Sequence, residues 1–200
     1  MNQVFKSTAG LFLAVCAFSF SGCDDESDVI GLNDDAKYGY IKLTFDGTRP
    51  DDEDFKTTKN YKFMTGSGPA SSSTVEIIED GSVSYYFHVT RLFTPFDATP
   101  NASTVDIDAT EENGELTITR VTVSARNALT FKDKTAFNLN ISTWEINPSD
   151  ITSFSYKEST GKLVIKFKTV VDSDSNNSGL AITVTGEVRV TVFQPLNIVG

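Results

Sequence analysis

Residues 180–193 read Leu-Ala-Ile-Thr-Val-Thr-Gly-Glu-Val-Arg-Val-Thr-Val-Phe. Leu180, Ile182, Val184, Val188, Val190 and Val192 fall on one parity, and Ala181, Thr183, Thr185, Glu187, Arg189, Thr191 and Phe193 on the other. Side chains of a β-strand point to opposite faces in turn, so this period of two predicts one long half-buried strand. Gly186 in its middle predicts a bend or bulge, and Pro195 its end. Just upstream, 151–157 and 162–170 are β-rich runs separated by Glu158-Ser159-Thr160-Gly161, which reads as a hairpin.

Working outward, runs rich in Thr, Val, Ile, Phe and Tyr predict further strands at 38–45, 61–64, 74–79, 82–93, 104–108, 115–124, 129–131 and 136–143. No window of twelve residues carries a helical period, and the expected helix reduces to a turn at 148–151. The fold class that follows is all-β: an antiparallel β-sandwich of roughly 8–11 strands, with a lipocalin-like β-barrel as the alternative. Strands of unequal length and long connections at 46–54, 66–73 and 95–103 favour the sandwich.

Composition narrows function mainly by exclusion. The 200 residues include 27 acidic and 17 basic side chains, one His and two Cys. So few His and Cys leave no C-x-x-C zinc module and little His-based chemistry. No G-x-S-x-G elbow is present, and Gly66-Ser67-Gly68-Pro69 lacks the Lys-Ser/Thr pair of a phosphate cradle. The negative balance disfavours nucleic acid and electrostatic docking on an anionic bilayer.

The amino terminus carries the most specific signal. Lys6 precedes an apolar stretch over 9–20, too short to span a bilayer, and the segment finishes Phe20-Ser21-Gly22-Cys23. Small residues directly before a cysteine resemble the lipobox of bacterial lipoproteins, with Phe20 where the box usually carries Leu. The resemblance implies a signal peptide over 1–22, cleavage before Cys23, acylation of the Cys23 thiol (palmitate among the acyl groups) and membrane attachment through that lipid. The following Asp24-Asp25-Glu26-Ser27-Asp28 resembles the export signal of Bacteroidota surface lipoproteins. It implies a lipid-anchored position on the outer membrane facing the medium, with the periplasmic face as the alternative. Cleavage would also remove Cys16, so the mature chain would fold without an intrachain disulfide. Residues 23–36, polar and acidic, read as a flexible tether, and 37–200 as one all-β domain.

Within that domain the candidate sites are sparse. Asp172, Asp174 and Asn176 offer oxygens at alternate positions, a weak calcium candidate that fails the EF-hand pattern at Asn177 and Thr183. Asp51-Asp52-Glu53-Asp54 reads as a solvated loop. Asp106 and Asp108 share one strand face, as a carboxylate pair would, and His88 falls on the polar parity of its strand. Tyr38, Tyr40, Tyr86 and Phe193 lie out of phase with the apolar rows and are the candidate face for a glycan or a protein partner. Trp144 reads as core packing before it reads as a stacking platform. These features favour a non-enzymatic, lipid-anchored envelope module that binds an unidentified partner or glycan, with no required cofactor. A barrel carrier of a small apolar ligand and a structural subunit of a surface assembly are the alternatives.

Overall fold

The computed structural model describes residues 38–63, 71–79, 82–93, 101–132 and 135–194. The signal segment, Cys23, the tether, Gly66–Pro69 and Pro195 lie outside them.

Among the described residues ten strands form the fold: β1 Gly39–Thr48, β2 Asp54–Lys62, β3 Ser72–Glu79, β4 Val83–Phe93, β5 Asn101–Glu112, β6 Glu115–Lys132, β7 Thr135–Ile146, β8 Ile151–Lys157, β9 Lys162–Val171 and β10 Ile182–Thr191. They run antiparallel in the order β7-β6-β5-β4-β2-β1-β10-β9-β8, with β3 paired to β4 off this path. The sheet is not closed into a barrel. Its weakest join is between β2 and β4, which share the single pair Lys62↔Leu92. There the sheet folds over into two leaves, β3 to β7 as leaf 1 and β2-β1-β10-β9-β8 as leaf 2.

The core between the leaves is filled by the inward parity of each strand. Ile41, Leu43, Phe45, Phe87, Ile107, Val121, Ile165 and Val188 are all fully buried. Rings from both leaves interlock: Phe87 on β4 meets Tyr156 on β8 edge-on, with centroids 4.9 Å apart, and Phe154 at 6.4 Å.

The seam is held by Arg91, which is 0 % exposed although it shares the parity of Tyr85, Phe87 and Val89. Its five N–H donors all find acceptors: Nε donates to the Gly39 carbonyl, Nη1 to those of Ser72 and Thr90, and Nη2 to that of Tyr38 and to Ser73 Oγ. The guanidinium also lies 5.4 Å from the centre of the Phe63 ring. One side chain thereby ties the start of β1 to β3 and β4. Beside it, Phe193 bonds in parallel to β3, through Phe193 N to Ser73 O and Val75 N to Phe193 O. Across the molecule, the β9–β10 loop pins to β7 through Ser142 N to Ser175 O and Asn140 N to Asn177 Oδ1.

Several local expectations are corrected. Gly186 makes no bulge: it pairs in regular register with Leu43 and Phe167. A Cβ there would overlap the Phe167 ring, so the glycine makes room for an aromatic on the next strand. The connection at 46–54 is a tight hairpin, since β1 runs to Thr48 and pairs with Asp54. Arg49 and Asp52 close it, with Asp52 at φ 62 and its N–H on the Arg49 carbonyl. The strand expected at 61–64 is the end of β2, whose start is disguised by its many polar residues. The runs at 115–124 and 129–131 are one strand, interrupted by register shifts against β7. The turn at 148–151 is a 3-10 turn at Pro148–Asp150 with Asn147 as its cap, and Gly161 closes the β8–β9 hairpin at φ 65.

Candidate functional site

Alternation leaves each leaf with an outer face, and the four candidate aromatics divide between them. On leaf 1, cross-strand register places Phe193, Thr74, His88, Asp106 and Thr122 in one row, with Glu76, Tyr86 and Asp108 in the next. Asp106 is the hub. Its Oδ1 lies 2.6 Å from His88 Nδ1 and accepts from the Tyr86 hydroxyl at 3.1 Å, while Oδ2 accepts from Thr122 at 3.4 Å. His88 Nε2 lies 3.2 Å from Thr90 Oγ1, which in turn meets Thr104 Oγ1 at 3.1 Å. Burial and the charge of Asp106 push the Tyr86 phenol up, so it remains a donor. Beyond Asp108, Arg120 bonds Glu145 at 3.2 Å.

The Asp106–His88–Thr90 chain has the order of a catalytic triad. Its setting differs from one: Thr90 lies in the middle of a strand paired on both sides, with Ser72 and with Thr104, so the ladder already engages neighbouring backbone N–H groups. An oxyanion would need such groups free and convergent. What the arrangement does supply is a fixed set of hydrogen-bonding groups beside an exposed ring. Ile78, Tyr86 and Phe193, three of the five large apolar side chains most exposed among the described residues, border this face. The relay was missed in the sequence because Asp106 is distant from His88 in the chain; only the spacing of His88 and Thr90 hinted at a shared face.

Tyr38 and Tyr40 belong elsewhere. Tyr38 stacks on Phe63 at 4.2 Å beside the Arg91 seam. Tyr40 lies on the outer face of leaf 2, where its hydroxyl donates to Glu187 Oε1 at 3.4 Å. Lys166 Nζ approaches the same carboxylate at 3.7 Å, and Arg189 Nε bonds it directly. The bond from Arg189, with Lys166 beside it, holds the Glu187 carboxyl below the usual carboxylate range. Lys42, Lys56, Lys62 and Lys168 share this face.

The calcium candidates fold on themselves. Asp172 Oδ1 accepts the N–H groups of Asp174 and Ser175 at 3.2 and 3.0 Å. Asn176 is buried, its amide donating to the carbonyls of Val171, Asp172 and Leu180 and its Oδ1 accepting from Ser178. These bonds engage Asp172 Oδ1 and Asn176 Oδ1 in shaping the loop. Among the described residues no three His, Cys, Asp or Glu side chains are grouped to hold a metal ion.

Two shallow grooves lie among the described residues. One, about 450 Å³, runs between Trp144, Glu145 and Asp150 on one side and Lys168, Val170 and Thr183 on the other. Trp144 packs partly against the core, and its indole nitrogen finds no acceptor among the described residues. The other, about 470 Å³, includes Tyr85, whose hydroxyl donates to Glu111 at 2.7 Å. That bond and burial push the phenol up to about 12.

No family model matches the chain, and no match to it was found among curated proteins or solved structures.

Proposed function

We propose that this chain is a lipid-anchored module of the cell envelope that binds a glycan without transforming it, through the outer face of leaf 1. The observation that carries the reading is the Tyr86–Asp106–His88 cluster: an exposed ring whose hydroxyl, neighbouring imidazole and carboxylate are already held in place on a rigid sheet. A sugar presents an apolar ring face and a rim of hydroxyls, which such a surface matches by stacking and directed hydrogen bonds. Preorganisation lowers the ordering cost of binding. The cysteine at 23 and its acidic follower support attachment by lipid on the outer membrane, facing outward. Several acyl chains, each contributing about 0.8 kcal/mol per buried CH₂, hold such a protein firmly.

The test is a glycan array probed with the soluble chain, followed by titration of whatever binds. Tyr86→Ala should weaken that interaction about tenfold, equivalent to about 1.4 kcal/mol. Full affinity in the variant would remove the face from consideration, and capture of an envelope protein without any glycan would shift the ligand class. Separately, Cys23→Ser should abolish incorporation of labelled acyl chains and release the protein from membranes. Protease added to intact cells should digest the wild type; complete protection would move it to the periplasmic face.

A further inference from the structure

We infer that the outer face of leaf 2 is a second binding surface, specific for an acidic polysaccharide, with Tyr40 as the ring on which a sugar stacks between two cations. The chain as a whole carries a formal charge of −10, yet this face is basic. Lys42, Lys56, Lys62, Lys166, Lys168 and Arg189 point outward from it, against Asp46, Asp54 and Glu187. Such segregation creates a local positive field that the net charge conceals.

The register gives the surface a repeat. Lys62, Tyr40 and Arg189 lie side by side on β2, β1 and β10. Neighbouring strands are about 4.8 Å apart, so the two cations flank the ring at a separation of about 10 Å. In the adjacent row Lys42 and Lys166 are likewise two strands apart, on either side of Glu187. Two strand spacings approximate the length of a disaccharide in an extended chain. A polymer crossing the strands could therefore set an acidic group on each cation and a ring over Tyr40.

Glu187 is the positioning residue of this surface. It receives the Tyr40 hydroxyl, Lys166 and Arg189 at once, fixing the ring and two cations in place before any ligand arrives.

The experiment titrates the wild-type chain with polygalacturonate, and with neutral dextran, a short DNA duplex and anionic phosphatidylglycerol vesicles as comparisons. Polygalacturonate should bind, weakening as salt rises from about 50 to 200 mM, while dextran should not. Tyr40→Ala should weaken binding about tenfold, and the paired variant K42Q/K168Q should reduce both the affinity and its salt dependence. Melting curves of each variant establish that it is folded, and Tyr40→Phe, which keeps the ring, should retain binding. Failure to bind polygalacturonate would overturn the inference. So would equal binding to DNA or vesicles, which would make the face a generic cationic surface, or full binding by Tyr40→Ala.

Discussion

The two outer faces of this sandwich are made in the same way and carry opposite chemistry. Each alternates Thr, Ser and charged residues with a buried apolar row. Leaf 1 shows Glu76, Asp106 and Asp108 around Tyr86, with the Arg120–Glu145 pair beyond them; leaf 2 shows Lys42, Lys62, Lys166 and Arg189 around Tyr40, with Glu187 among them. Each tyrosine is oriented by a carboxylate, Asp106 in one case and Glu187 in the other. The difference teaches that a net charge is a sum over surfaces that never meet the same partner. The acidic excess disfavours polyanions for the molecule as a whole and does not describe leaf 2.

The comparison depends on the leaves staying folded over each other, and Arg91 is where that can be broken most severely. Arg91→Met leaves the carbonyls of Tyr38, Gly39 and Ser72 without this donor in a buried seam. Each buried carbonyl left unsatisfied costs about 1–3 kcal/mol, so a loss of about 3 kcal/mol or more is expected, measured by urea unfolding with fluorescence detection. A loss under about 1 kcal/mol, the scale of an exposed pair, would show that the seam is held by packing alone. A second substitution strains leaf 2 selectively. In Gly186→Ala the new methyl meets the Phe167 ring, and overpacking should cost about 1–3 kcal/mol. Calorimetry reads the loss; an unchanged melting temperature would mean that Phe167 can move aside.

The smallest expected effect separates the leaves by pH. On leaf 2, Glu187 ionises below its ordinary value of 4.5, so its contribution is present above that value and lost as pH falls through the lower folded one. Being partly exposed, the pair contributes about 0–1 kcal/mol. On leaf 1, the Tyr85 phenol is raised from 10 to about 12, so its contribution is present below 10 and lost as pH rises towards 12. Glu187→Gln should flatten only the acid limb of a stability profile and Tyr85→Phe only the alkaline limb. An exchange of these effects would contradict the assignment of each bond to its leaf.

Much of the fold was legible because alternation is a local property. The strand expected at 180–193, realised as Ile182–Thr191 with Leu180 exposed in the loop before it, the hairpin around Gly161 and the inward rows of β4, β5 and β9 follow from side-chain parity. Parity failed where polar residues line an edge, as in β2, with Lys56, Thr58, Asn60 and Lys62 facing out and only Phe55 and Tyr61 deeply buried. It failed again in β6, where register shifts reset the phase. Arg91 was invisible for a different reason: a charge on an apolar parity signals a buried network only once the carbonyls that satisfy it are known. The candidate aromatics were found as exposed positions, whereas their division between two faces could not be.

By itself, then, the sequence determined an all-β chain, the parity of most strands and the identity of the outward side chains, because each depends on neighbours within a few residues. The pairing order, the fold-over at Lys62 and Leu92 and the burial of Arg91 depend on contacts between residues far apart in the chain. Tertiary structure alone decided which outward residues became neighbours. It set His88 beside Asp106 and Tyr40 beside Arg189 and Glu187, because cross-strand register, and not distance along the chain, brings side chains into reach.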